Sequence, residues 1–365
     1  MSDARGQRLA PSGRSVLASA PVRIADIGGW TDTWFAEYGL VCNVAIERRV
    51  AVRVDIDHTL GSAVEISTHI DGRVYTIDPV EPPGWHPMIE AVIRGEAPTG
   101  GLRIEITHDV AAGSGLGGSA ALGVALVAGL CAAGGERLVR GEVARRAHRY
   151  ELAAGRESGV QDHWAAAFGG INRLAVDYPS VRREEVRLAP GVAGELGRRL
   201  HTVVFGSPHD SSALHSTVLS NMMSEAALLA LDRIRDAAHL ACVALPAGDL
   251  DAYGAALTSN HAALVRLHPD LVGDDARRLE GVARQFRARG WKVNGAGGQG
   301  GSMVVLGPAD AVADGQLCEA IREQPGWTLV GASLALHGVV ARCFDPDAMR
   351  SGRVDPWFGP LGGTQ

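Results

Sequence analysis

Lysine is almost missing from this chain. Of 35 basic residues among 365, Lys292 alone is a lysine and the rest are arginines. Chemistry that needs an active-site amine therefore has a single candidate. The formal net charge is −6, and like charges nowhere form a block of five. A nucleic-acid or anionic-membrane surface, which wants clustered Lys and Arg, is not expected. Cysteine is sparse too: Cys42, Cys131, Cys242, Cys318 and Cys343 are scattered, odd in number and without a CxxC pair. That gives neither a disulfide framework nor a thiolate metal site. The thirteen histidines contain no H-E-x-x-H spacing. The polar start, Met1 to Ser15, lacks the apolar core of a signal peptide. One stretch, Ala111 to Gly135, has no charged residue. Its helical portion, from about Ala120 to Ala133, is too short for a bilayer and reads as a buried helix. A cytoplasmic protein is expected.

The length suits two domains, and strand and helix patterns mix without a strict βαβ alternation. Alternation predicts strands over Val41–Asp57 (two, or one long and bent), Leu102–Thr107, Ile171–Val176, His201–Gly206 and Val339–Phe344. Helical periodicity predicts helices over Met88–Arg94, Glu142–Ala154, Gln161–Phe168, Ala226–Ala244 and Ala252–Leu267. A second glycine cluster within Val293–Leu306 precedes a further strand. The expected fold class is α+β. Residues 1–14 read as a disordered lead-in, 15–195 as an N-terminal domain, 196–350 as a C-terminal domain and 351–365 as a tail. The Pro/Gly-containing passage Pro190–Gly197 reads as the boundary between the two domains.

Three segments carry chemistry. The run Gly113-Ser114-Gly115-Leu116-Gly117-Gly118-Ser119 lies between a strand and an apolar helix. Glycines there let successive N–H groups converge on an anion at a helix N-terminus, so a phosphate chain would fit, with the Ser119 hydroxyl available to a metal. No lysine follows the last glycine and no ribose-binding acid closes a βαβ unit, which excludes a Walker A loop and a dinucleotide fingerprint. A turn that merely packs a helix against a sheet is the alternative. Upstream, Ala20-Pro21-Val22-Arg23-Ile24-Ala25-Asp26-Ile27-Gly28-Gly29-Trp30-Thr31-Asp32-Thr33 ends a strand and presents Trp, Asp and hydroxyls together. This suits a polyhydroxylated ligand, or else a surface Asx turn. Near the other end, Asn294-Gly295-Ala296-Gly297-Gly298-Gln299-Gly300-Gly301-Ser302 implies close backbone approach to a ligand or to another segment.

Together and in this order, the three segments resemble the three motifs of the GHMP kinase superfamily. PVRIADIGGWTDT is most similar to the L-fucose kinase and heptose 7-phosphate kinase branch. So is the run Gly159-Val160-Gln161-Asp162-His163-Trp164-Ala165-Ala166-Ala167-Phe168-Gly169-Gly170. The resemblance implies an ATP- and magnesium-dependent kinase acting on a hydroxyl of a small molecule: a sugar, a sugar phosphate or a sugar-like cyclitol. It implies an N-terminal domain like the second domain of ribosomal protein S5 and a ferredoxin-like C-terminal domain. By the same resemblance, Asp162 is the catalytic carboxylate and Arg23 its partner, Gly113 to Ser119 hold ATP, and Ser119 with Glu151 holds the metal. Substrate contacts fall at Gly29, Trp30, Thr31, Asp32 and Gly297. Two residues depart from the pattern: Gly118 stands where many members carry Ser, and Gln299 interrupts the third glycine cluster.

Several residues keep plainer readings. Asp162 would also suit the dipole of its helix, and Glu151 would also suit a solvated ion pair. His86 either caps the following helix or edges an adenine pocket. His209 and His215, flanking Ser211-Ser212, read as a surface loop.

Overall fold

The computed structural model describes residues 15–68, 74–78, 84–97, 100–206, 218 and 224–344. The expected lead-in and tail, and the His209–His215 loop, lie outside the described residues. Among these, no helix is long and apolar enough to cross a membrane.

The first sheet is built on two long strands, β1 (Ser15–Ile27) and β2 (Tyr38–Ile56), which pair antiparallel. The stretch expected as one or two strands is thus a single 19-residue strand. Its two halves have different neighbours. Val50–Ile56 pairs with β5 (Leu102–His108), and Tyr38–Val44 pairs with β6 (Ile171–Asp177). Beyond β5 come β3 (Val64–Thr68), parallel to it, and β4 (Val74–Ile77); beyond β6 comes β7 (Ser180–Glu185). Four helices belong to this part: α1 (Pro87–Glu96), α2 (Gly118–Ala133), α3 (Arg140–Ala153) and α4 (Gln161–Phe168). Helix α2 carries no charged side chain and buries Leu122, Val124, Leu126 and Leu130 among β1, β2 and the other helices. It is the uncharged run of the sequence, placed in a protein core.

Pro190–Gly197 proves not to be a loose linker. It forms helix α5 (Pro190–Arg199), with Pro190 in the first turn, where a missing N–H costs nothing. The second sheet then opens with β8 (Leu200–Phe205). After α6 (Glu225–Ala247), α7 (Leu250–Leu267) and α8 (Asp274–Gln285) come β9 (Gly290–Val293), β10 (Ser302–Leu306), α9 (Ala311–Arg322) and β11 (Trp327–Gly331). The strand order is β11-β8-β10-β9, all antiparallel. The last strand, β12 (Val340–Phe344), returns to the first sheet and pairs with β1, so a cut at residue 196 would strip that sheet of its edge.

Two positions fix how the parts meet. Near its end β1 carries a register shift between Ile24 and Ile27, and Ala25 there has φ 51°. Such a bulge re-aims the next side chain, here Asp26, and the strained residue is held by its N–H donating to Asn294 Oδ1 at 2.9 Å. Elsewhere α7 crosses β9 backbone to backbone: a Cβ on Gly290 would lie 2.0 Å from the Gly254 carbonyl oxygen. Gly290→Val should therefore cost about 1–3 kcal/mol by overpacking, read as an earlier urea midpoint. An unchanged midpoint would mean that helix and strand separate without penalty.

Candidate active site

The three glycine-containing segments converge on one cavity of about 1450 Å³. They touch one another directly. Gly115 lies against Asn294, and a Cβ on Gly295 would meet the Gly115 carbonyl oxygen at 2.9 Å. The loop before α2 has left-handed backbone at Gly113, Gly115 and Gly117, which favours glycine. Helix α2 begins without a side-chain cap, leaving its first-turn amides available to an anion. A Cβ on Gly118 would make only an ordinary contact, with Val110 at 3.7 Å, so a side chain has room at this position.

Arg23, buried on β1, locks this loop to α4. Its Nε donates to Asp162 Oδ1 at 2.8 Å and its Nη2 to Oδ2 at 3.0 Å, a bidentate pair. Nη1 donates to the Gly115 carbonyl, and the Arg23 amide donates to the Leu116 carbonyl at 3.0 Å. Burial opposes the guanidinium's charge, but Asp162, Asp26 and Asp32 outweigh it and raise its pKa. Asp162 stands in the first turn of α4, so the dipole reading describes its place and the Arg23 pairing its contacts.

Beneath this pair lies a buried carboxylate, Asp26. It accepts from Lys292 Nζ at 2.8 Å, from Gln161 Nε2 at 3.1 Å and from the Gly295 amide at 3.1 Å. Burial raises its affinity for a proton, yet Lys292 and then Arg23 outweigh burial and bring the carboxyl below its ordinary value. Burial depresses the Lys292 ammonium, which Asp26 opposes. Since Nζ donates both to Asp26 and to the Val293 carbonyl at 2.6 Å, we read the pair as ionised. The lone lysine of the sequence is thus sealed behind the cavity.

Asp32 lines the cavity although it is almost wholly buried. Its Oδ2 accepts from the Gln161 amide at 2.9 Å, and it packs where a Cβ on Gly159 would lie, 2.2 Å away. Burial and the nearby Asp162 charge lift its pKa to about 6, against the pull of the Gln161 N–H. Gly29 and Trp30 also line the cavity; Trp30 has φ 77° and packs beside Phe35 in an apolar cluster with residues of β8 and α6. Thr31 and Gly297 do not line it. Thr31 donates inward to the Gly28 carbonyl at 2.7 Å. A Cβ on Gly297 would meet Leu271 O at 2.1 Å, so that glycine serves a close backbone approach. Gly295 and Ala296 are the third-segment residues at the cavity.

At the other side, Ser119 Oγ donates to Glu151 Oε1 at 2.9 Å, and Ser158 Oγ donates to Oε2 at 3.1 Å. His163 Nε2 lies 3.0 Å from Oε2, though outside hydrogen-bond alignment. Burial alone would raise Glu151, but the His163 imidazole and the Ser119 hydroxyl outweigh it and bring its pKa to about 2. Burial, followed by His163, lowers His148 behind this group to about 4. Arg156 Nη1 donates to Ser119 Oγ at 3.2 Å. His86 caps α1, accepting from the Ile89 amide at 3.3 Å, and still lines the cavity. Arg156, His163, Gln161 and the Lys292–Asp26 pair were not anticipated as site residues. Lys292 carried a hint through its uniqueness, and Asp26 and Gln161 through the motif runs that contain them.

Residues 86–170 match the family described as GHMP kinases N terminal domain. A galactokinase of Mycobacterium tuberculosis (strain ATCC 25618 / H37Rv) is 30% identical over 342 residues, spanning 82% of this chain and 91% of that protein. The chain belongs to the GHMP kinases. It is a phosphotransferase with an alcohol acceptor and uses ATP. This GHMP kinase is also 26% identical over 321 residues to the bifunctional fucokinase/GDP-fucose pyrophosphorylase of Arabidopsis thaliana, spanning 81% of the chain and 30% of that protein. Its fold matches a D-glycero-D-manno-heptose 1-phosphate kinase from Bacteriodes thetaiotaomicron at TM-score 0.71 and 20% identity, over 90% and 98% of the two chains. Lactococcus lactis galactokinase complexed with galactose matches at 0.69 and 18%, over 89% and 95%.

Two outcomes follow for this GHMP kinase. Lys292→Met leaves the Asp26 charge buried without its nearest partner and should cost about 3–5 kcal/mol in urea unfolding. Adding Asp26→Asn should recover part of that loss, whereas additive losses would mean the two residues act apart. Asp32, with its pKa raised in the fold, holds a proton that the unfolded chain releases between about pH 4 and 6. Stability is thus lost as pH rises through that window. Asp32→Asn should unfold later than the parent at pH 8, by on the order of 1–3 kcal/mol, and level with it at pH 4. A gap that does not change with pH would remove the titration of Asp32 as its cause.

Proposed function

We propose that this GHMP kinase transfers the γ-phosphoryl group of ATP to a hydroxyl, anomeric in position, of a sugar or a sugar phosphate such as a heptose 7-phosphate or a fucose-like sugar. The observation that carries the reading is the Arg23–Asp162 pair, 2.8 Å apart, set against the glycine loop and opening on the cavity that Asp32 and Trp30 line. The names of the galactokinase and fucokinase relatives support a sugar acceptor. A cyclitol phosphate would present similar hydroxyls and is the second reading.

Phosphoryl transfer is mostly positioning and electrostatic stabilisation. In this proposal the loop amides and the α2 N-terminus cradle the phosphates. Asp162 orients the acceptor hydroxyl and accepts its proton late in the transfer. Arg23 offsets charge on the moving phosphoryl group while fixing the carboxylate. Asp32 and the edge of Trp30 receive the other hydroxyls and C–H faces of the acceptor. Ser119 and Glu151 fit a magnesium ion, being hard oxygen donors of which one is held ionised with a pKa of about 2. When bound, the ion would supply charge neutralisation at the phosphates. Arg156, at the Ser119 hydroxyl, adds a positive charge on the same side.

An ATP-consumption screen over free sugars, sugar phosphates and cyclitol phosphates, with phosphorus NMR on the best product, tests the reading. A sugar phosphorylated at its anomeric carbon is the expected product; turnover confined to cyclitol phosphates would favour the second reading. On the acceptor so found, Asp162→Asn should lower kcat by roughly 10²–10⁴ with both substrates still bound. Arg23→Ala should also lower kcat, and the double variant should lose less than the two losses combined. Near-parental turnover by Asp162→Asn would remove it as the base.

A further inference from the structure

Away from the cavity, three side chains that commonly bind metals meet between β8, an inner strand of the second sheet, and α9. His201 comes from β8; Asp314 and Cys318, four residues apart, come from one face of α9. His201 Nε2 lies 2.8 Å from Asp314 Oδ1 and 3.5 Å from Cys318 Sγ, and the three ligand atoms all fall within 4.8 Å of one another. None of the three lines the kinase cavity.

We propose that His201, Asp314 and Cys318 form a binding site for a borderline-soft divalent cation of the zinc type. Bond lengths to zinc of about 2.3 Å for sulfur and about 2.0–2.2 Å for nitrogen and oxygen put tetrahedral ligands roughly 3.4–3.6 Å apart. The sulfur–nitrogen separation already has that value, and the nitrogen–oxygen one needs to open by about 0.6 Å. One imidazole, one carboxylate and one thiolate leave a fourth position for water, and the mixed donor set suits zinc better than magnesium or calcium.

The surroundings favour a site over a simple ion pair. Gly307, between β10 and α9, has no left-handed backbone that would require glycine. Yet a Cβ there would stand 1.8 Å from Asp314 Oδ1 and 3.3 Å from His201 Nε2. The glycine lets the Asp314 carboxylate pack where a side chain would otherwise stand, with the His201 nitrogen beside it. The segment is fixed by the Gly307 amide donating to Arg199 O at 2.8 Å and by Arg199 Nε donating to Gly307 O at 3.0 Å. A second mixed group makes a useful contrast. At Glu96, Cys131 and Glu136 the guanidinium of Arg146 already sits 3.0 Å from each carboxylate, so a cation is in place. At the His201 group Arg198 is 3.9 Å from Asp314 Oδ2, on a side chain 44% exposed that also donates to Ala309 O at 3.4 Å.

Binding would convert the Cys318 thiol to a metal-bound thiolate and release its proton to solvent. Burial and Asp314 raise that thiol's pKa, while Arg322 opposes them.

The test uses the full chain, stripped with a chelator and titrated with Co²⁺ and then Zn²⁺. One equivalent of Co²⁺ should bind with a near-ultraviolet sulfur-to-cobalt charge-transfer band, and Zn²⁺ should displace it. Cys318→Ser should lose the band, and His201→Ala should weaken Co²⁺ binding at least tenfold. Zn²⁺ should raise the Tm of the parent but not of Cys318→Ser. Arg198→Gln, which leaves every ligand in place, should bind at least as tightly as the parent. A band that persists in Cys318→Ser, or no stoichiometric binding of micromolar Co²⁺ by the parent, would overturn the site. Weaker binding by Arg198→Gln would do the same.

Discussion

Everything at the active site rests on one buried carboxylate. Asp26 has no contact with solvent, and an isolated charge there would be costly. Its partners are drawn from two distant parts of the chain: Lys292 on β9 with the Gly295 amide just after it, and Gln161 at the start of α4. Each partner pulls its own element to the same point. The requirement to satisfy a single anion therefore brings the ends of β1, β9 and α4 together, and Arg23, three residues earlier on β1, can reach Asp162 only because α4 is held there. The bulge at Ala25 is the local cost of aiming Asp26 inward, and the Asn294 side chain offsets part of it.

A gradient of proton affinity runs across the cavity. Glu151 is held near 2 by donors that converge on both of its oxygens, whereas Asp32, with burial dominating, rises to about 6. The two carboxylates are similar in burial and differ in their neighbours, so hydrogen-bond donors and nearby charge set the difference. The first suits a permanent anion beside a cation and phosphates, the second a group that can hold a proton when no ligand is present.

Much of this was legible in the sequence. Helix α4 has the residues that periodicity gives it, because an amphipathic Ala-rich turn bounded by Gly169-Gly170 has few other options. The glycine loop and the first segment stand out through residue types that suit a close backbone approach or a polar ligand. Other features were hidden. Short strands such as β3 and β4 are stabilised by cross-strand partners that no local window contains. The Pro/Gly content of Pro190–Gly197 points to a loose boundary, although the first turn of a helix welcomes a proline. The roles of Thr31 and Gly297 could not be separated from those of their neighbours, since which residue of a tight turn faces a cavity depends on the backbone and not on composition. Arg156 and His163 gave no signal at all, being one arginine among many and one histidine on a buried helix face.

The burial of Lys292 has a consequence for how this enzyme can be handled and regulated. The only side-chain amine of the whole polypeptide is enclosed and already donating to two oxygens. At lysine, acetyl transfer, ubiquitin attachment, succinimide ester labelling and aldehyde crosslinking all need an accessible ε-amine, so none of them finds a lysine on the folded protein. Apart from the α-amine and the imidazoles, its surface positive charge is guanidinium, which stays protonated across the biological pH range. To amine-directed chemistry the folded enzyme presents no lysine target, and the same lysine becomes reactive only when the Asp26 cluster opens. A lysine-specific reagent is in effect a reporter of unfolding at the active site.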